Sequence, residues 1–216
     1  MENQATYQTL DDRGRELIAG AALLFMRLGI KAVNMDDLAQ QLAVSKKTLY
    51  KYVKDKRELV QLALAWITTE QARMMELLVD HPGTAIDADF EMMRQTRAML
   101  KNLHPSVLFD LEKFYPRAFA AMTEHRDRVI QSAVKRNLLR GQQEGVYRSD
   151  IHPGVVAQFF VALAHLTSQP RQLEAAGCPI AEFHIQSFQY HIRGIASEQG
   201  LAQLEAKLRD ESLHEA

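Results

Sequence analysis

Cysteine is almost missing from this sequence: Cys178 is the single one among 216 residues. An intramolecular disulfide framework and a cysteine zinc site are thereby excluded. Cys178 precedes the helix-opening Pro179, and a helix N-terminus lowers a thiol pKa, so redox sensing is the one special role open to it. Proline is scarce too, with six residues (Pro82, Pro105, Pro116, Pro153, Pro170 and Pro179) that all fall between periodic segments. No apolar run approaches the ~20 residues that span a bilayer. The opening MENQATYQTLDD is polar and acidic, unlike a secretory signal, so the cytoplasm is the expected compartment. There is no P-loop, no Gly-x-Gly-x-x-Gly and no His-Glu-x-x-His. The eight histidines show no i, i+4 pair. Neither an enzyme, nor a metal site, nor a cofactor is expected.

What is present is helical periodicity. No stretch alternates as a strand does, and the expected fold is all-α with nine or ten helices. Asp12–Leu28 is amphipathic, with Leu17, Ala21, Leu24, Phe25 and Leu28 as its apolar stripe and Gly29 as its stop. Further helices are read at Lys56–Val79, Ile86–Leu103, Ser106–Glu112, Pro116–Glu144, Pro153–Thr167, Pro179–Ser197 and Gly200–Leu213, with a connector at Gln169–Gly177. The net charge is −1, but it is unevenly spread. Leu10–Ala65 holds ten Lys/Arg against seven Asp/Glu, whereas Trp66 to the end holds sixteen against nineteen. A mildly basic head, residues 10–56, on an acidic body, residues 57–216, fits a nucleic-acid-binding domain joined to a domain with other work.

The densest information lies in Asn34–Leu59, NMDDLAQQLAVSKKTLYKYVKDKREL. Asn34 reads as an N-cap with Asp37 completing a capping box, Ser45 as a second N-cap with Thr48 three residues on, and Asp55 as a third with Glu58. Three start signals so close together predict helix–turn–helix–turn–helix. Lys46, Lys47, Lys51, Lys54, Lys56 and Arg57 fall in twelve residues that contain one acid, Asp55. Lysines in the first turn of a helix oppose its dipole. Stability does not ask for them there, whereas contact with phosphates or guanines does. Tyr50 and Tyr52 offer hydroxyls to a nearby backbone.

These residues resemble the DNA-binding segment of TetR-type transcriptional regulators. Asp37-Leu38-Ala39, Val44-Ser45, Thr48-Leu49-Tyr50, Tyr52 and Lys56 agree with that pattern in order and spacing. The resemblance implies an N-terminal three-helix DNA-binding domain followed by a helical domain for ligand binding and dimerisation. It implies a recognition helix near Lys46–Tyr50 and phosphate contacts from Thr48, Tyr50, Tyr52 and Lys56. With the lysines, the expected DNA-binding set is Lys46, Lys47, Thr48, Tyr50, Lys51, Tyr52 and Lys56. Ala43 departs from the pattern by standing at the turn glycine, where a left-handed Ala costs roughly 1–2 kcal/mol. Val53 replaces an aromatic, and Lys47 stands where Gly is frequent.

The rest of the chain yields two more expectations. Pro153–Thr167 and Pro179–Ser197 are too apolar for surface helices, so a second copy of the chain is expected to cover them in a four-helix bundle. Val156, Phe159, Phe160, Leu163, Ile185, Phe188, Ile192 and Ile195 are the expected contacts. Between Trp66 and Phe119 the chain is rich in Met and aromatic residues, as an adaptable apolar pocket is. Trp66, Met93, Arg97, Phe109, Phe114 and Phe119 are its expected lining, and Arg97, His104, Asn137 or His165 could orient a polar group. The resulting expectation is a homodimeric repressor that binds a palindromic double-stranded DNA operator and answers to a small apolar or amphipathic effector, with no role at a membrane. The alternative is a DNA-tethered protein-interaction module of the same fold without an effector.

Overall fold

The computed structural model describes residues 7–166, 177 and 179–214. Cys178, Pro170 and most of the Gln169–Gly177 connector lie outside these residues. Ten α-helices are described: α1 Asp12–Leu28, α2 Met35–Gln41, α3 Lys46–Tyr52, α4 Lys56–Val79, α5 Ala85–Lys101, α6 Ser106–Phe114, α7 Pro116–Gln143, α8 Pro153–Leu166, α9 Ile180–Ile195 and α10 Glu198–His214. Among the described residues there is no strand, and Tyr147 and Ala196 form an isolated antiparallel bridge. No described helix is long and apolar enough to cross a membrane.

The chain divides into two compact units, each discontinuous in sequence. The first takes the residues up to Ala72 together with Asn102–Arg126, and the second takes Arg73–Lys101 together with the residues from Asp127 on. The divisions fall inside α4 and α7, so each of those helices belongs partly to both units.

In the first unit α1 buries Leu17, Ile18, Ala21, Ala22, Leu24 and Phe25. Leu28, expected on the same stripe, lies at the last turn and is 36% exposed. Asp11 caps α1 by accepting the Gly14 N–H at 2.7 Å. Gly29 ends it in the left-handed region, with its N–H on the Phe25 carbonyl. Ile18, Leu38, Leu49, Leu59 and Leu62 are fully buried, and Val107 and Leu111 of α6 join their cluster. The His104 N–H donates to the Met26 carbonyl at 2.7 Å, which ties the 102–126 segment to the end of α1.

The second unit is built around α5, against which α9 and α10 pack. Ile86, Met93, Ile130, Val134, Leu138, Val146, Phe188, Ile192, Ile195 and Leu204 form its core. A polar knot fixes the start of α5. Arg140 of α7 donates to the carbonyls of His81, at 2.9 Å, and of Gly83. Glu144, paired with Arg140 at 2.7 Å, accepts the Ala85 N–H at 2.7 Å. Asp87 accepts the Thr84 N–H at 2.6 Å and meets Lys207 of α10 at 2.5 Å.

Candidate nucleic-acid interface

The local sequence dictates the geometry of α2 and α3. Asn34 Oδ1 accepts the N–H groups of Asp36 at 2.8 Å and Asp37 at 3.0 Å, and Asp37 Oδ2 accepts the Asn34 N–H at 2.8 Å. This capping box starts α2. At its other end Ala43 has φ 53°, the Val44 N–H reaches the Ala39 carbonyl at 2.9 Å, and the Ala43 N–H reaches Gln40 at 3.1 Å. That is a Schellman closure with alanine in the position glycine usually takes. Ser45 then caps α3 through the Thr48 N–H at 3.1 Å. Leu49 faces inward as the helix's anchor, 2% exposed. The third start signal is real but shifted. Asp55 accepts the Glu58 N–H at 2.8 Å, while the Glu58 carboxylate reaches Lys54 N, at 2.6 Å, rather than Asp55 N.

The seven expected DNA residues lie on α3 and the first residue of α4, but they are not equivalent. Lys47, Tyr50 and Lys51 are exposed. Lys46 is exposed too, but its amine sits 2.6 Å from Asp36 of α2, and that carboxylate holds the lysine pKa up. The Thr48 hydroxyl lies 2.9 Å from Ser45 Oγ. Tyr52 is half-buried and its hydroxyl donates to Asp11 Oδ2 at 3.3 Å. The Lys51 amine stands 5.0 Å over the Tyr52 ring. Asp11 is held below the usual carboxylate range, first by the Gly14 N–H and also by Tyr52, Lys51 and Arg15. Lys56 is drawn partly into the protein. Burial lowers its pKa, as does the charge of Lys31, against the opposing pull of Asp110 and Asp37. Asp36 and Asp11, the two acids that fix these side chains, belong to no motif read from the sequence; the signal for Asp11 is its place immediately before α1, which it caps.

The expected pocket residues are spread over both units. Trp66, Phe109, Phe114 and Phe119 belong to the first, Met93 and Arg97 to the second. Met93 is core, 1% exposed. Phe109 is 51% exposed beneath Lys113 at 5.2 Å. Phe114 carries Lys31 at 4.1 Å over its ring. These two aromatic residues of α6 therefore serve as cation platforms. Three of the four polar candidates have partners within the chain: His104 Nδ1 lies 3.0 Å from Ser106 Oγ, and His165 Nε2 lies 2.7 Å from Asp127. Asn137 donates to Tyr147 at 3.1 Å. No group of three metal-ligating side chains occurs among the described residues.

The eight expected interface residues all lie in the second unit but differ in burial. Phe159 is 67% exposed, and Val156, Phe160, Leu163 and Ile185 are half-buried. Phe188, Ile192 and Ile195 are 3%, 0% and 5% exposed. They pack in the core of their own unit and offer no surface to a second copy, which corrects the expectation for these three. The apolar stripe of α9 is satisfied largely by α5. Two further residues of the same helices are open, Val155 at 53% and Tyr190 at 78%. Tyr190 lies off the stripe, which is why periodicity did not single it out.

Residues 17–63 match the sequence model of the bacterial regulatory proteins, tetR family. No curated protein matches the chain. Among solved structures, the reduced form of E. coli NemR is similar at a TM-score of 0.66 and 16% identity, covering 87% of this chain and 98% of that one. A transcriptional regulator from Saccharomonospora viridis, solved in complex with choline, is similar at 0.61 and 18%, over 87% and 99%. The ketosteroid transcriptional regulator KstR2 of Mycobacterium tuberculosis is similar at 0.51 and 20%, over 88% and 98%. At these identities the structures establish a shared fold.

Proposed function

Because this chain is a TetR-type DNA-binding regulator, we propose that it acts as a homodimeric repressor that releases a palindromic operator on binding a small effector. The observation that carries the DNA half is the placement of Lys47, Tyr50 and Lys51. All three stand exposed on a short capped helix whose Leu49 is locked into the core. Lys47 and Tyr50 read or position the duplex from the major groove, and the other lysines set affinity through phosphates. Residues 10–56 hold the DNA, and residues 57–216 carry dimerisation and the effector.

One recognition helix reads a half-site. Two related by a two-fold axis read half-sites centred about 34 Å, or a multiple of it, apart. The exposed Val155, Phe159 and Tyr190 support pairing through α8 and α9, since large open apolar side chains mark association surfaces. The effector favours a conformation that fits the operator poorly, and affinity falls by the difference in its binding to the two states. The choline complex of one regulator of this fold supports a small-molecule effector. Selecting bound fragments from genomic DNA, followed by gel shifts on the selected sites, tests the reading. Binding by a 2:1 protein–duplex complex to sites with inverted half-sites is expected. A chain that ignores every duplex at low salt overturns it.

A further inference from the structure

Asp89 of α5 is 6% exposed, and nothing in DNA recognition uses it. The Tyr147 hydroxyl donates to its Oδ2 at 2.6 Å. Asn137 of α7, 2% exposed, donates from Nδ2 to the Tyr147 hydroxyl at 3.1 Å and to the Ala85 carbonyl at 3.2 Å. The Tyr147 ring lies against Gly141 of α7, so close that a Cβ there would stand 2.0 Å from Tyr147 Cδ2. This all-buried cluster has two open demands. Asn137 Oδ1 has no donor. Among the described residues no cation pairs with the Asp89 carboxyl.

The charged groups of the surrounding elements are committed elsewhere or, like Lys135 and Arg136 of α7, stand exposed. On α5 itself, Asp87 is bound by Lys207 of α10 at 2.5 Å, and Glu91 by Arg94 at 2.9 Å. On α7, Arg140 and Glu144 pair with each other at 2.7 Å. From α9, packed on α5, come His184 and His191, which burial pushes down to about 4 and so keeps neutral near pH 7. Tyr147 is pushed well above its ordinary value by burial and by Asp89, so it stays a donor. An ionised Asp89 is thus a buried charge without a counter-charge, an arrangement proteins avoid by binding a proton instead. A proton on Asp89 removes the charge and brings the cluster the extra donor it lacks.

We propose that Asp89, Tyr147 and Asn137 form a proton-binding site inside the second unit, filled when the unit folds and emptied at the cost of its packing. Burial raises the Asp89 carboxyl to about 7, against the lowering by the Tyr147 hydrogen bond and the neighbouring Asn137 amide. The folded pKa lies above the ordinary 3.8. Asp89 therefore contributes stability fully at acid pH, and that contribution is lost as pH rises toward 7. The two histidines act with the opposite sign, because a folded pKa depressed below 6.5 loses stability as pH falls toward 4. The wild-type profile alone mixes these effects, and a comparison with Asp89→Asn separates them.

The test is thermal unfolding of the full chain and of Asp89→Asn between pH 5 and 8.5. The Asn side chain has nearly the shape of the neutral acid and does not titrate. The melting temperature of the variant relative to wild type is expected to climb by roughly 5 °C or more across this range and to level off above neutrality. A difference that stays constant with pH overturns the proposal. Should the variant fail to fold, carbon-13 NMR of the aspartate carboxyls in the wild-type chain decides. One carboxyl with its midpoint near 7, moving upward in Tyr147→Phe, is expected. Midpoints that all lie in the ordinary carboxylate range, or a high one that Tyr147→Phe leaves in place, overturn it.

Discussion

The ring of Tyr52 lies against Gly14, so close that a Cβ on Gly14 would come within 2.8 Å of Tyr52 Cδ1. Gly14 is in the first turn of α1 and Tyr52 in the last turn of α3, so this contact sets how α3 leans on α1. Filling that space forces the ring out. Gly14→Val is expected to destabilise the first unit by about 1–3 kcal/mol, the usual cost of overpacking, and to weaken DNA binding. Urea unfolding with an unchanged slope reads the first effect and a gel shift the second. Tyr52→Phe keeps the ring and removes only the hydroxyl turned to Asp11, so it should leave both nearly unchanged. A large affinity loss in Tyr52→Phe would instead make that hydroxyl a phosphate donor.

Ala43 sits at φ 53° in the turn between α2 and α3, and it is exposed. A left-handed alanine costs roughly 1–2 kcal/mol, and glycine gives back about 0.4–1 kcal/mol through its freer unfolded chain, so Ala43→Gly should gain up to about 1.6 kcal/mol. A higher denaturation midpoint for Ala43→Gly, with the gel shift unaltered, is the expected result. A lower midpoint means the turn tolerates alanine without strain.

The helix ends were legible because caps are local: Asn34, Ser45 and Gly29 each act within four residues of themselves. The conformation of Ala43 was legible only through the resemblance, which places a turn glycine at that position. What could not be read was which neighbour satisfies each face. The stripe Ile185, Phe188, Ile192, Ile195 has the period of a buried helix whether it packs on its own chain or on another. Only the packing of α9 on α5 decides that most of it turns inward. The Lys46–Asp36 pair joins two helices across a turn, and the Asp89–Tyr147 bond joins residues 58 positions apart. The first pair lies inside the Asn34–Leu59 stretch but follows no cap or helical spacing, and no short window of sequence contains the second.

The lysines divide into three kinds, and their substitution should separate them. Lys47 is open, Lys46 is held by Asp36, and Lys56 is half-buried beside Asp110 and Asp37. Lys56→Ala is expected to weaken binding to every duplex alike and to flatten the dependence of log K on log salt by about 0.9, the loss of one phosphate contact. Lys47→Ala should change which of the selected sites is preferred. Lys46→Ala and Asp36→Ala cut the same tie between α2 and α3, but the first removes a cation and should weaken binding, whereas the second frees that cation and should strengthen it. Equal effects of Lys47→Ala and Lys56→Ala across all sites would remove base reading from Lys47.

Phe159 and Ile192 are both large apolar residues on the helix pair expected to dimerise, and they predict opposite experiments. Phe159 is 67% exposed, so Phe159→Glu leaves the isolated chain's packing intact. It places a charge where a second copy must bury an aromatic ring, and an unpaired buried charge is costly. Sedimentation should then show a folded single chain at concentrations where the wild type is paired, with operator affinity lost alongside. Ile192 is fully buried at 0%. Ile192→Ala opens a cavity within one chain and should cost about 2–5 kcal/mol of stability, while the surviving folded fraction still pairs. If Phe159→Glu sediments as the wild type does, α8 is not the face on which two copies meet. A second copy must then cover neither Val155 nor Phe159, and the spacing of the two recognition helices has to be set elsewhere.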